Sequence, residues 1–367
     1  MKINLIKEPQ IIMSNPHSKH NYFGWPSAVR LQNGKIAVVA SGYRLEHVCP
    51  FGKAVISYSE DEGETYTAPA PVIDTVLDDR DAGICTFGKK GVIVTSFNNT
   101  REMQKSCLGK CDRYRETATP YSGAYLDFVS DEEEKEFLGS VFRISNDCGV
   151  TFGEIYKAPI TSPHGPVELN DGTVLWVGRT FSEDDTMMGY DRICAYKINT
   201  DNGETELVGI INPIFREGKQ AFSCEPYAIQ LDDGTIICHI RVQNPGFTIY
   251  QSVSKDMGKT WSEPVQILAD NGGAPSHILK HSSGVLIATY SYREFPYGIK
   301  AMLSYDNGNT WDTDHIVYPN EIDNDIGYPM TVELNDGSLI TVFYARPYKG
   351  SPAVIMQQKW SFEKPLI

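Results

Sequence analysis

Ser254-Lys255-Asp256-Met257-Gly258-Lys259-Thr260-Trp261 is a short stretch whose pattern the chain uses four times. The spacing Ser-x-Asp-x-Gly-x-Thr-aromatic recurs at Ser59-Asp61-Gly63-Thr65-Tyr66, Ser145-Asp147-Gly149-Thr151-Phe152 and Ser304-Asp306-Gly308-Thr310-Trp311. A fifth, degenerate copy, Asp201-Asn202-Gly203-Glu204-Thr205, lacks the Ser and the aromatic. The logic of the motif is local. An Asp carboxylate can accept from backbone N–H groups of a turn, Gly supplies positive φ, and the aromatic is free to pack between sheets. A calcium loop of EF-hand type would need more carboxylates at a different spacing, so the motif reads as a structural hairpin. Repetition of one hairpin along a chain points to a repeat architecture.

A second repeated signal interleaves with the first. Short apolar runs break at Gly34, Gly91, Gly172, Gly234, Gly284 and Gly337, each followed by another apolar run. Asp-Gly between two β-rich segments, as in Asp171-Gly172 and Asp233-Gly234, is a strong hairpin signal. Each unit then reads as strand A, hairpin, strand B, strand C, Asp-box hairpin, strand D, which is the pattern of a propeller blade. The last unit runs through its third strand, about Ala353 to Trp360, and the chain then ends. The segment Ile3-Asn4-Leu5-Ile6 is available to supply the missing fourth strand and remove an open edge. The expected fold is an all-β six-bladed β-propeller spanning residues 1–367 as a single domain, with the N-terminal strand closing the last blade. Asn98 to Leu138 breaks the rhythm as an insert in the second blade. Within it, Ser130-Asp131-Glu132-Glu133 reads as a capping box opening a short helix through Phe137. The insert suits either a lid or an oligomer contact.

Composition bounds the function. The chain has 367 residues, 41% of them hydrophobic and 11% aromatic, enough for a large core. A formal net charge of −14 argues against nucleic acid or an anionic membrane as partner, although it does not exclude a positive pocket. Met1 to Gln10 shows no continuous apolar run, and no window approaches a membrane span, so a cytoplasmic location with reduced thiols is expected. Cys107 and Cys111 lack two further ligands at suitable spacing, and no metal or other cofactor is implied.

In a propeller the starts of the A strands and the ends of the B strands meet at one end of the central channel. Those places hold Trp25, Arg80-Asp81, Pro163-His164, Glu225, Pro275-Ser276-His277 and Tyr328 on the A strands. The B strands contribute Arg44-Leu45-Glu46-His47, Asn98, Arg179, Arg241, Arg293 and Tyr344-Ala345-Arg346. A hydrophobic core would not select such a set, since buried charge is costly unless paired or used. The alternative reading is a set of structural salt bridges lining the channel, such as Glu225 with Arg241, and His164 and His277 could equally cap backbone groups. Arg241 and Arg293 suit a carboxylate, because a guanidinium fork matches its two oxygens. Glu225 and Tyr328 suggest a base and a phenol. A phenol is a weak nucleophile until a neighbouring base takes its proton. A neutral nucleophile makes sense where the attacked carbon carries a carboxylate, which would repel Asp or Glu.

The four Asp boxes and this residue set resemble the sialidase (neuraminidase) superfamily of BNR/Asp-box proteins over nearly the whole chain. The order Glu225, Arg241, Arg293, Tyr328 is similar to the family's in sequence and spacing. The resemblance implies a Tyr nucleophile at Tyr328 with Glu225 as its base, and Arg241 with Arg293 as two members of an arginine triad. Asp81 resembles the family's blade-two pocket Asp. Two departures follow. The family opens blade one with aromatic-Arg-Ile-Pro, whereas this chain has Phe23-Gly24-Trp25-Pro26. Where the family carries its acid/base Asp, this chain offers Glu46 and His47. Arg44 or Arg80 would then replace the missing guanidinium, and Glu46 or Asp81 would protonate the leaving group, with His47, His164 and His277 also in the pocket.

The expected activity is that of a retaining exo-glycosidase acting on a terminal sialic acid or a related acidic sugar. Two alternatives stand beside it: a glycosidase for another uronic or ketoaldonic acid, favoured by the altered blade-one motif, and a carbohydrate-binding propeller without turnover. The partner in each case is a small acidic sugar or glycoside.

Overall fold

Six antiparallel sheets stand around a central axis in this computed structural model, which describes residues 2–108, 118–180, 192–243 and 246–363. Blade one is typical, with strands Tyr22–Arg30, Ile36–Arg44, Lys53–Ser59 and Ala70–Ile73 paired in sequence order. Inner strands are covered on both faces, so they read as continuous apolar runs; Leu339–Ala345 is buried at every position. Outer strands such as Thr205–Ile211 alternate with solvent. No helix among the described residues is long and apolar enough to cross a membrane.

The Asp boxes form as their chemistry dictates. In the third full copy, Ser254 Oγ accepts from Gly258 N at 2.9 Å and donates to Asp256 Oδ1 at 2.9 Å. Asp256 accepts from Thr260 N at 2.9 Å and from Thr260 Oγ1 at 2.6 Å. These bonds hold each Asp carboxylate ionised; those of Asp61 and Asp147 are drawn down to about 2, chiefly by the Thr hydroxyl and N–H. The boxes also join blades. A side chain on strand C of the preceding blade donates to the box glycine carbonyl: Gln357 to Gly63, Tyr58 to Gly149, and Gln251 to Gly308, at 2.6, 2.5 and 2.9 Å.

The ring closes through the N-terminus. Lys2–Leu5 pairs antiparallel with the end of Val354–Glu363, and Gln10–Met13 pairs with its beginning. Blade six therefore takes its outer strand from two short segments of the chain start. The insert in blade two holds helices Arg101–Cys107, Ala118–Phe128 and Asp131–Phe137. The last begins with the capping box, Ser130 accepting from Glu133 N and the Glu133 carboxylate accepting from Ser130 N. Cys107 ends the first helix, while Cys111 lies outside the described residues.

One backbone device bears directly on the site. Four A strands carry a register shift near their starts, and in each the residue inside it is a non-glycine with positive φ. These residues are Trp25, Asp81, Glu225 and Tyr328, with φ of 51, 47, 49 and 53°. Such a conformation costs a non-glycine residue about 1–2 kcal/mol. A bulge re-aims the side chain that sits in it, and here all four are aimed into one cavity.

Candidate active site

The four bulges and the ends of the neighbouring strands enclose a cavity of about 420 Å³ at one end of the axis. Every blade contributes. Trp25 and His47 come from blade one, Arg80, Asp81 and Asn99 from blade two, Ser162 and Arg179 from blade three. Blade four adds Glu225, Arg241 and Gln243, blade five Arg293, and blade six Tyr328 and Tyr344.

Tyr328 and Glu225 form the centre. Tyr328 Oη donates to Glu225 Oε1 at 2.6 Å, and Arg241 Nη1 donates to both Glu225 Oε2 and, at 3.2 Å, Tyr328 Oη. Burial, and then the negative charges of Glu225 and Asp81, push the Tyr328 phenol well above its usual range. The phenol is therefore neutral at rest, with its proton pointed at a carboxylate. Burial opposes charge on Arg241, but Glu225, Tyr328 and Cys224 together overcome it and keep the guanidinium protonated. Arg293 donates from Nε to Ile326 O at 2.9 Å and from Nη2 to Tyr344 Oη at 3.3 Å.

The opposite wall is basic as well. Asp78, fully buried, pairs with Arg44 Nη2 at 2.6 Å and with Arg80 Nη1 at 3.3 Å. One carboxylate thus serves two guanidinium groups and leaves a net positive corner. Arg80 also donates to His47 O at 2.7 Å and stacks 4.4 Å over the Trp25 ring. Burial, and then the cations Arg80 and Arg44, hold the His47 imidazole well below its usual range, so it is neutral. Asp81 is different: burial lifts its carboxyl to about 7 against the pull of Arg80, and among the described residues nothing donates to its Oδ1. A carboxyl that is half protonated near neutrality can give or take a proton.

A family model described as the BNR repeat-like domain matches residues 128–341, more than half of the chain. The chain belongs to that family. No curated protein matches it. Solved structures match the BNR propeller closely in shape and weakly in sequence. A protein of unknown function from Dyadobacter fermentans superposes with a TM-score of 0.77 at 16% identity, covering 98% of this chain and 99% of its own. The NanB sialidase of Streptococcus pneumoniae gives 0.67 at 14%, over 98% of this chain and 71% of that one. The leech intramolecular trans-sialidase complexed with 2,7-anhydro-Neu5Ac gives 0.67 at 13%, over 97% and 70%. The BNR chain is thus a sialidase-like six-bladed propeller.

Within this BNR propeller the expected residues divide. Tyr328, Glu225, Asp81, Arg241, Arg293, Arg80 and His47 line the cavity together. Four others do not. Arg44 is fully buried behind the wall, spent on Asp78 and on the carbonyls of Asp79 and His47. Glu46 is buried outside the lining, although its neighbour His47 faces in. His164 and His277 lie one layer deeper along the axis. His164 Nδ1 is 3.4 Å from Oγ of Ser27, two residues beyond Trp25, and His277 Nδ1 accepts from Thr331 N, three beyond Tyr328. Both pack on Tyr227, two beyond Glu225, and burial holds both imidazoles neutral. They are core histidines. The cavity also contains residues that no motif announced, notably Asn99 and Gln243. Gln243 was accessible by period, being two along strand B from Arg241 and on the same face.

Proposed function

We propose that this propeller is a retaining exo-glycosidase that removes a terminal sialic acid or a related acidic sugar. The observation that carries the reading is the Tyr328–Glu225 hydrogen bond of 2.6 Å, bridged by Arg241 at the cavity floor. It joins a protonated phenol to a base with a fixed cation beside both, which is the arrangement an activated Tyr nucleophile requires. Basic groups on four blades (Arg80, Arg179, Arg241 and Arg293) support an anionic substrate.

In the first step Glu225 takes the phenol proton while Tyr328 Oη bonds to the anomeric carbon. The glycosidic C–O bond breaks, and the Asp81 carboxyl gives its proton to the leaving oxygen. In the second step a water attacks the same carbon and yields its proton to the Asp81 carboxylate. The Tyr328–carbon bond breaks, and the phenolate recovers its proton from Glu225. Arg241 and Arg293 hold the sugar carboxylate, and Arg80, stacked on Trp25, supplies the guanidinium that Gly24 does not. Because Trp25 rather than an arginine fills the blade-one corner, acids other than sialic acid belong in the same test. Purified protein is assayed on fluorogenic glycosides of N-acetylneuraminic acid and of other uronic and ketoaldonic acids. Turnover of at least one is expected. Folded protein that releases nothing from any of them would contradict the reading and favour a binding propeller.

A further inference from the structure

Arg44 and Asp78 are charged side chains that the chemistry above does not use. Both are fully buried, and neither lines the cavity. Burying charge is costly, and a buried ion pair holds a fold together no better than apolar residues of similar volume. A pair kept in such a place invites a role other than stability.

The pair is joined to the cavity through Arg80. Asp78 Oδ2 accepts from Arg44 Nη2 at 2.8 Å, from Cys49 N at 3.0 Å and from Arg80 Nη1 at 3.3 Å. The two guanidinium groups share a second acceptor, His47 O, which lies 2.8 Å from Arg44 Nη2 and 2.7 Å from Arg80 Nη1. Arg44 Nη1 donates further to Asp79 O at 3.2 Å. Both cations stand over the Trp25 ring, Arg44 at 5.0 Å and Arg80 at 4.4 Å. The corner has no room to spare: a Cβ on Gly52 would overlap both Arg44 Nη1 and Asp78 Oδ1, so only glycine lets the backbone pass there.

Of the three side chains, Arg80 alone lines the cavity. An Asp78–Arg80 pair by itself would be neutral. It would aim the guanidinium but cancel much of the field that an anionic substrate meets. With Arg44 on the same carboxylate oxygen, the three groups carry one net positive charge. Arg44 is sealed off, so Arg80 presents that charge to the cavity.

We propose that Arg44 is a positioning residue of the substrate site, a counter-charge to Asp78 that lets Asp78 orient Arg80 while leaving the Arg80 charge to the carboxylate of an acidic sugar. The proposal rests on the reading of an acidic substrate. It gives the buried pair a function in place of the blade-one arginine that Gly24 does not supply.

The test is calorimetric binding of N-acetylneuraminic acid and of glucuronic acid, each beside the analogue with its carboxylate reduced to the alcohol. The readout is the preference for acid over alcohol, a ratio that damaged packing alone would leave unchanged. All variants are measured in protein shown to melt cooperatively. Arg44→Met is expected to lower the preference roughly tenfold, and Arg44→Lys, which keeps the charge, to hold it within about threefold of the wild type. The double variant Arg44→Met/Asp78→Asn is expected to recover it, since one net positive charge returns and an amide oxygen can still accept from Arg80. Where Arg44→Met does not fold, Asp78→Asn decides: it leaves two cations and is expected to raise the preference, and an unchanged or lower value would overturn the proposal. If the acids are preferred by the wild type and Arg44→Met keeps that preference, or the double variant does not recover it, the assignment fails while the acidic-substrate reading stands. If the wild type prefers neither acid over its alcohol, both fail.

Discussion

Asp81 carries the sharpest pH dependence in the cavity. Burial raises its carboxyl to about 7, so its ionisation in the folded chain opposes folding. A carboxyl raised above its unfolded value of about 4 adds stability below that value, and the contribution is lost as pH climbs through about 7. Asp81→Asn is therefore expected to melt higher than the wild type at pH 8 and to differ less at pH 5, in calorimetric scans at both. In the proposed mechanism Asp81 is the proton donor and must be protonated for the first step, so kcat/KM should fall above about pH 7 in the wild type. The same substitution should cost roughly 10²- to 10⁴-fold in activity. A flat alkaline limb, or an active Asp81→Asn protein, would move the acid role elsewhere. Stability and chemistry pull in opposite directions at this residue, as expected for a group kept buried for use.

At the scale of the element, the Asp box and the A-strand bulge have different legibility. The box is a local motif whose donors and acceptors lie within eight residues, and the chain spells it out. Ser254→Ala would leave Gly258 N without its acceptor and is expected to cost about 1–3 kcal/mol, read from denaturant unfolding. An unchanged midpoint would show that the bonds are replaced by water. The bulges were not legible, because nothing at Trp25, Asp81, Glu225 or Tyr328 marks a positive φ, and non-glycine residues rarely adopt one. The strand-end rule nevertheless singled out three of those residues, Asp81, Glu225 and Tyr328, which line the cavity. It overreached where depth mattered: His164 and His277 stand at A-strand starts yet lie outside the cavity lining. Arg44 misled for another reason. Its counterion Asp78 lies outside the strand-end set, so the sequence pattern presents a cation without the carboxylate that occupies it.

For the molecule as a whole, closure is the weak point. The two N-terminal segments are the only outer strand of blade six among the described residues, and Gln357 and Gln358 reach across to Gln10 and Lys7. Removing residues 1–13 would leave Val354–Glu363 as an open edge and separate the ends of the ring. A large fall in melting temperature is expected, with association visible by size-exclusion chromatography. A shortened chain that elutes like the full one and is equally stable would show that the inter-blade bonds of the Asp boxes suffice. Six repeats could be read from the hairpin signals, closure from the unpaired N-terminal segment and the meeting of strand ends from the propeller pattern. Which seven of the expected groups line the cavity needed the ring to be built. Sequence identity of 13–16% to the solved propellers carries the fold and leaves the chemistry to the residues themselves.

The central claim, that Tyr328 is a nucleophile, is tested most directly by trapping its glycosyl adduct. The protein is incubated with a fluorinated acidic glycosyl fluoride, which slows the second step, and digested for mass spectrometry. The account predicts a mass increase of one sugar on the peptide bearing Tyr328, absent in Tyr328→Phe. Turnover with the adduct on another residue, or undiminished activity in Tyr328→Phe, would contradict it.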